Sequence, residues 1–421
     1  MLRTVDVPAR RLDDYAADAG DDAVERLRSV AAPLRGARIL QVNSTAFGGG
    51  VAELLVSHVP LLRDLGIDAE WAVLDGSDDF FHVTKAVHNG LQGMAVQWTP
   101  EMEDVYWERV RANAANLEAT GWDHLFIHDP QPAGLLPVLE EESRRAGCWT
   151  WRCHIDVSRP HPPVWAFFEP MVNRYDDAVF TMETFAQPGI SGPRLAIVAP
   201  SIDPTTEKNR PVDPSTVEEV LRRYHVDPDR PLAVQVSRFD PWKDPLGVID
   251  AYRLAREEVP GLQLVMAGSM AADDPEGIEY LTQTRVHAGP DPDIHLLTDA
   301  EGVLAHEVNA FQHGADVVIQ KSTREGFGLV VTEAMWKRRS VIGGRVGGIT
   351  LQIEDGVSGF LVDSVDSCAA RLVELIGNPA LRDGMGHAAR ERVRAQFLSL
   401  RELEDYLTIF RQAAGIDPRR D

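Results

Sequence analysis

Only three cysteines are spread over 421 residues, at Cys148, Cys153 and Cys368. That number and spacing build no disulfide framework and match no metal-ligand pattern, so a reducing, cytoplasmic setting is expected. No apolar run approaches the roughly 18 residues of a membrane span. The first residues, MLRTVDVPARRLDDYAADAGDD, are too acidic and too poor in apolar side chains to be expected as a signal peptide. Positive charge is also scarce. The 42 Lys and Arg face 65 Asp and Glu, a formal net charge of −23. Such a surface repels nucleic acid and anionic membranes, and neither is an expected partner. A phosphorylated ligand would need a local cluster of Arg, Lys and backbone N–H groups.

What is present fits an ordinary globular chain, with 44% hydrophobic and 25% charged residues. Its length suits two domains of about 200 residues each. Short apolar strands alternate with amphipathic helical patterns throughout, which predicts parallel sheets covered on both faces. The expected fold class is α/β, with two Rossmann-like domains facing each other across a cleft. Residues 1–36 read as an N-terminal extension with one amphipathic helix near 22–34. The first Rossmann-like half is expected over 37–205 and the second over 206–395. A helix over 396–421 could pack back on the first half. The stretch SIDPTTEKNRPVDP, at 201–214, is rich in Pro and polar residues and reads as the interdomain linker.

One stretch organises the second half. Residues 317–320 form an apolar strand, Lys321 to Gly328 a polar, glycine-punctuated turn, and Leu329 onward a helical pattern. The turn therefore sits at a strand's carboxyl end and a helix's amino end, where ligands bind in open α/β sheets. First-turn N–H groups without internal partners suit a phosphate or sugar oxygen. Gly326 and Gly328 permit close backbone approach. Glu325 and Glu333 bracket the helix start. On one continuous helix, their spacing would separate them by about 12 Å along the axis. Carboxylates so placed would grip two parts of one long ligand; the plain alternative is a capped surface helix with ordinary glutamates.

Other candidates share strand ends. Gly48-Gly49-Gly50 joins a strand to a helix, by itself only a turn signal, but a plausible second wall for an anionic or sugar ligand. Arg238 and Lys243 follow the first strand of the second half. A guanidinium can hold two phosphate oxygens, and an ammonium adds a compact charge. In the first half, His124, His128, the turn from Asp129 to Gln131, and His154 with Asp156 share one sheet edge. They could bond sugar hydroxyls or simply cap the sheet. Asp227-Pro228-Asp229 and Asp291-Pro292-Asp293 match an Asp-x-Asp pattern, but the central prolines read as turns, and no metal site is expected.

Taken together, these pieces resemble the retaining glycosyltransferases of the two-Rossmann-domain (GT-B) type, specifically glycosyltransferase family 4. The segments NSTAFGGGVAELL, FFHVTKAVHNGLQG, HDPQPA, WRCHIDVS, QVSRFDPWK, DDPEG and REGFGLVVTEAMWK are similar to the trehalose glycosyltransferring synthases within it. That resemblance spans nearly the whole chain. It implies transfer of glucose from a nucleoside-diphosphate glucose to free glucose, with retained anomeric configuration, in a reaction that could run either way. It implies that Arg238 and Lys243 hold the donor diphosphate and that Glu333 accepts hydrogen bonds from the ribose. Glu325, with the N–H groups of Gly326, Phe327 and Gly328, would hold the transferred glucose at its 3- and 4-hydroxyls, and Leu329 would belong to the same donor site. Gly48, Gly49 and Gly50 would complete the donor site. His154 would lie near the glucose 6-hydroxyl and C1, and it would meet the acceptor together with Asp129, Gln131 and Asp156. His154, Arg238, Lys243 and Glu325 are the expected catalytic set. No cofactor is implied, with Mg2+ at most stimulatory, and a homodimer is left open.

Two other readings stand beside this one. Trehalose phosphorylases share these motifs but use inorganic phosphate, and a non-catalytic nucleotide-sugar sensor would need only the binding half of the site. A dinucleotide oxidoreductase is disfavoured, because Gly48-Gly49-Gly50 lacks the G-x-G-x-x-G spacing.

Overall fold

The computed structural model describes residues 2–47, 49–268 and 275–416. Gly48 and the Asp273-Asp274 pair of the DDPEG segment lie outside the described residues. The chain divides into two compact units: residues up to Ser201 with the chain from Ser399, and Ile202–Leu398. No helix among the described residues is long and apolar enough to cross a membrane.

The first unit is a seven-stranded sheet. Its strands are β1 (Arg3–Thr4), β2 (Arg38–Asn43), β3 (Asp68–Val73), β4 (His124–His128), β5 (Cys148–Arg152), β6 (Asp177–Phe180) and β7 (Arg194–Ile197). They lie in the order β1-β3-β2-β4-β5-β6-β7. Only the β1–β3 pairing is antiparallel. Strand order reverses between β2 and β4, so the ligand-binding crevice of such a sheet lies at their carboxyl ends. Successive side chains of a strand point to opposite faces. Leu125 and Ile127 accordingly join one apolar core with Trp149 and Trp151, and Phe126 joins the other with Trp71.

The stretch before Ala37, read as an N-terminal extension, packs on the first unit. β1 extends the sheet, and Leu12, Tyr15, Val24, Leu27 and Leu34 are buried in the second core. Helix Ser399–Ala413 closes that core with Leu400, Leu403, Leu407 and Phe410. The Phe410 and Phe126 rings meet edge to face at 5.6 Å. A local pattern shows an apolar helix face but not what covers it, and here the cover comes from the far end of the chain.

The second unit has six parallel strands: β8 (Leu232–Val236), β9 (Gln263–Gly268), β10 (Ile294–Thr298), β11 (Val317–Gln320), β12 (Ser340–Gly344) and β13 (Phe360–Val362). Their order is β10-β9-β8-β11-β12-β13, and it reverses between β8 and β11. This is the doubly wound Rossmann order, whose crevice opens at that switch point.

Candidate active site

In the second unit, the loops leaving β8 and β11 meet at the switch point. Lys243 Nζ lies 2.6 Å from Glu325 Oε2, and Ser322 Oγ donates to the same oxygen at 3.0 Å. Asp240 holds the turn carrying the lysine, its Oδ1 accepting from the Lys243 N–H at 3.2 Å. Arg238 is drawn to the other side of Asp240, Nη2 to Oδ2 at 3.5 Å, and 41% of its side chain stays exposed. Lys321 pairs with Asp244, which caps helix Pro245–Glu258.

The helix bearing Glu333 begins only at Leu329, so Glu325 precedes it. The turn expected over residues 321–328 and the helix expected from Leu329 are thus what the structure shows, and Glu325 and Glu333 do not share one continuous helix. Gly328 is the reason: at φ +85° it turns the chain in a conformation that side chains disfavour. Glu325 keeps its place because the loop after β12 presses on it. A Cβ on Gly347, itself at φ +42°, would stand 1.8 Å from the Glu325 carbonyl oxygen. Gln352 Nε2 donates to the Phe327 carbonyl at 2.5 Å, and the Phe327 ring is buried beside Phe397, 5.7 Å between centroids. Only the backbone of Phe327 can therefore serve a ligand.

Glu333 is 1% exposed. Its Oε1 accepts from Lys208 Nζ at 2.9 Å, while Oε2 is buried without a hydrogen-bond partner among the described residues. Buried carboxylate oxygens are costly to leave unpaired, which marks Oε2 as an acceptor for a donor group. One turn on, Lys337 Nζ is buried and donates to Gln312 Oε1 at 2.8 Å, Asn209 Oδ1 at 3.3 Å and the Glu333 carbonyl at 3.3 Å. Burial pushes the Lys337 amine down to about 7, with Glu333 opposing that shift and Lys208 adding to it. Sequence reasoning missed both lysines. Lys337 lies four residues after Glu333, a spacing that could have flagged it; Lys208 sits in the stretch read as linker and carried no signal.

In the first unit, the switch point is occupied by polar side chains. His128 ends β4 fully buried; its Nε2 meets Gln41 Oε1 at 2.8 Å and its Nδ1 meets His154 Nε2 at 2.9 Å. With Gln41 Oε1 accepting, His128 carries its proton on Nε2 and accepts from His154, leaving His154 Nδ1 as an acceptor. Burial holds both imidazoles well below the ordinary histidine range, and the buried Arg152 guanidinium pushes the same way. Both are therefore neutral at ordinary pH. Asp129, at φ +65°, accepts from the His154 N–H at 2.9 Å and fixes the chain as it leaves β5. Burial raises its carboxyl to about 6, against the opposing His154 N–H and Arg152. Gln131 Oε1 is buried without a hydrogen-bond partner among the described residues. Asp156 is buried, and its Oδ1 accepts from the Ser158 N–H at 2.9 Å. His124, by contrast, turns into the core, bonded to Thr150 and set edge-on to Phe410. Gly50 opens helix Gly50–Asp64, Gly49 precedes it in extended conformation, and Gly48 is not among the described residues. Gln41 was also missed, although a polar residue within the apolar run Ile39-Leu40-Gln41-Val42 could have signalled it.

Residues 41–187 match the family of trehalose synthase N-terminal domains, and residues 217–392 match glycosyl transferases group 1. The chain is 46% identical over 401 residues to the trehalose synthase of Thermococcus litoralis, covering 95% of this chain and 96% of that one. It belongs to the trehalose synthase family of glycosyltransferases. Another member of the family, the trehalose synthase of Rubrobacter xylanophilus, is 46% identical over 421 residues, covering 99% of this chain and all of that one. The fold of this trehalose synthase family member is GT-B. An alpha,alpha-trehalose-phosphate synthase (UDP-forming) from Burkholderia xenovorans, solved with glucose-6-phosphate, superposes with a TM-score of 0.71 at 15% identity, over 90% of this chain and 100% of that one. At that identity the likeness concerns the fold alone.

Proposed function

We propose that the protein is a retaining glucosyltransferase that forms α,α-trehalose from a nucleoside-diphosphate glucose and free glucose. The observation that carries this reading is the separate lodging of two buried glutamates at one switch point, each beside its own lysine. A long donor with a sugar at one end and a ribose in the middle needs two such anchors, not two carboxylates flanking one bond. Glu333 Oε2 would accept from ribose hydroxyls. Among the described residues, both side-chain hydrogen bonds of Glu325 fall on Oε2, so Oε1 would be available to the hydroxyls of the transferred glucose. Lys243 and Arg238 would offset the charge developing on the departing diphosphate, the largest electrostatic demand of the reaction. The resemblance to retaining GT-B enzymes implies that the departing phosphate would help to take the acceptor proton. His154, neutral and anchored through His128 and Asp129, would orient glucose hydroxyls rather than supply charge.

The test is to incubate the purified protein with ADP-, UDP- and GDP-glucose plus glucose, and to identify the disaccharide and its anomeric configuration by NMR. Trehalose from at least one donor supports the proposal. Glucose 1-phosphate formed from trehalose and inorganic phosphate, with no nucleotide-dependent synthesis, would make the protein a phosphorylase. Binding without turnover would make it a sensor.

A further inference from the structure

Lys208 lies in the stretch that connects the two Rossmann-like halves in sequence, yet its contacts are built like those of a site. The preceding and following backbone is fixed by Asn309, whose Nδ2 donates to the Glu207 carbonyl at 2.8 Å and the Arg210 carbonyl at 2.9 Å. The next residue, Asn209, is buried and held by Lys337. Between these clamps the Lys208 ammonium reaches Glu333 Oε1 at 2.9 Å, on a carboxylate that is 1% exposed. The two oxygens of Glu333 are thus divided, one to the lysine and one without a partner. A lone buried carboxylate without a counter-charge would turn toward other donors or toward water.

We propose that Lys208 is a positioning residue for the donor's ribose: by holding Oε1, it aims Glu333 Oε2 at the ribose hydroxyls of a nucleoside diphosphate. This rests on the donor reading given above. It makes the connecting segment part of the nucleotide site, so discrimination for a ribose depends on a residue outside the Glu325-to-Glu333 motif.

The experiment is calorimetry on the full chain with whichever of UDP, ADP and GDP binds most tightly, and with the matching 2′,3′-dideoxynucleoside diphosphate. The proteins are the wild type, Lys208→Ala, Lys208→Met and Lys208→Arg. The wild type should bind the ribose form about ten-fold or more tightly than the dideoxy form, the scale of one lost charge-assisted hydrogen bond. Lys208→Ala and Lys208→Met should erase most of that preference while leaving dideoxy affinity unchanged, and Lys208→Arg should restore part of it. A merely structural lysine would weaken both ligands alike, so equal losses overturn the proposal. Unchanged or tighter ribose binding in Lys208→Ala also overturns it, the latter marking Lys208 as a competitor for Glu333. Should the wild type itself fail to prefer the ribose form, the ribose role of Glu333 falls instead, a different result from any change confined to the variants.

Discussion

Lys243 Nζ lies 2.6 Å from Glu325 Oε2, tying the loop after β8 to the loop after β11. The cation proposed for the diphosphate and the carboxylate proposed for the glucose therefore set each other's position. Their side chains are only 16% and 9% exposed, so truncating either one removes a close partner of the other.

Arg238 and Lys243 should separate by stability. Both Lys243→Ala and Arg238→Ala should raise the donor dissociation constant about ten- to hundred-fold, the scale of a lost charge-assisted contact. Lys243→Ala also strands the Glu325 carboxylate and should cost about 2 kcal/mol of stability, below the 3–5 of a fully enclosed pair. Arg238→Ala, at an exposed side chain, should stay within about 0.5 kcal/mol. Calorimetry with donor and urea denaturation read the two effects independently. Wild-type donor affinity in both variants would remove the two cations from the site.

The two glutamates should fail differently. Glu333→Gln weakens the acceptor for ribose hydroxyls and should loosen nucleoside diphosphate and nucleotide-glucose alike, by about ten-fold. Glu325→Gln should leave diphosphate affinity within about two-fold and depress turnover instead. Titrations alongside initial rates decide it. Equal loss of diphosphate affinity in the two variants would reduce the motif to a nucleotide clamp.

Gly347 should be far less tolerant than Gly356. Both have positive φ, +42° and +79°, but a Cβ on Gly356 meets nothing within 4 Å, whereas one on Gly347 meets the Glu325 carbonyl oxygen at 1.8 Å. Gly356→Ala should cost about 1 kcal/mol and spare turnover. Gly347→Ala must displace the Glu325 loop, and a shift of about 1 Å at a positioning residue costs on the order of 100-fold in rate. Similar kinetics for the two variants would show that the loop yields without harm.

Asp129 gives a pH signature. Its carboxyl is raised from 3.8 to about 6 by burial. Between those values the folded state holds a proton that the unfolded chain has lost. The resulting stability is complete below about 3.8 and disappears as pH rises through about 6. Asp129→Asn cannot titrate there, so the wild type should lose up to about 3 kcal/mol relative to it across that window. Urea curves from pH 4 to pH 8 measure the difference. A constant gap would mean that the carboxyl titrates alike in both states.

Much of the second unit was legible because it is written locally. The apolar run before Lys321, the glycines at 326 and 328, and the helical pattern after Leu329 all lie within about one strand and one helix of each other, the range over which propensity and turn chemistry act. The GT-B resemblance rested on segments of the same local kind, spread over both halves. Glu325 and Glu333 could be named from that stretch, but not what balances them. Lys243 is 82 residues from Glu325, and Lys208 is 125 residues from Glu333 (333 − 208). The β8–β11 pairing brings the first pair together, and the packing of 207–210 against Asn309 and Lys337 brings the second. The histidine pair is alike: the β4–β5 register sets His128 opposite Arg152, which carries His154 within reach of its ring. The sequence alone determined the alternation of strands and helices, the loops at strand ends and the acidic surface, since each depends on neighbours along the chain. Strand order, partners for buried charges and the union of residues 3–34 with the carboxyl-terminal helix depend on contacts between distant segments, and those only the tertiary structure decided.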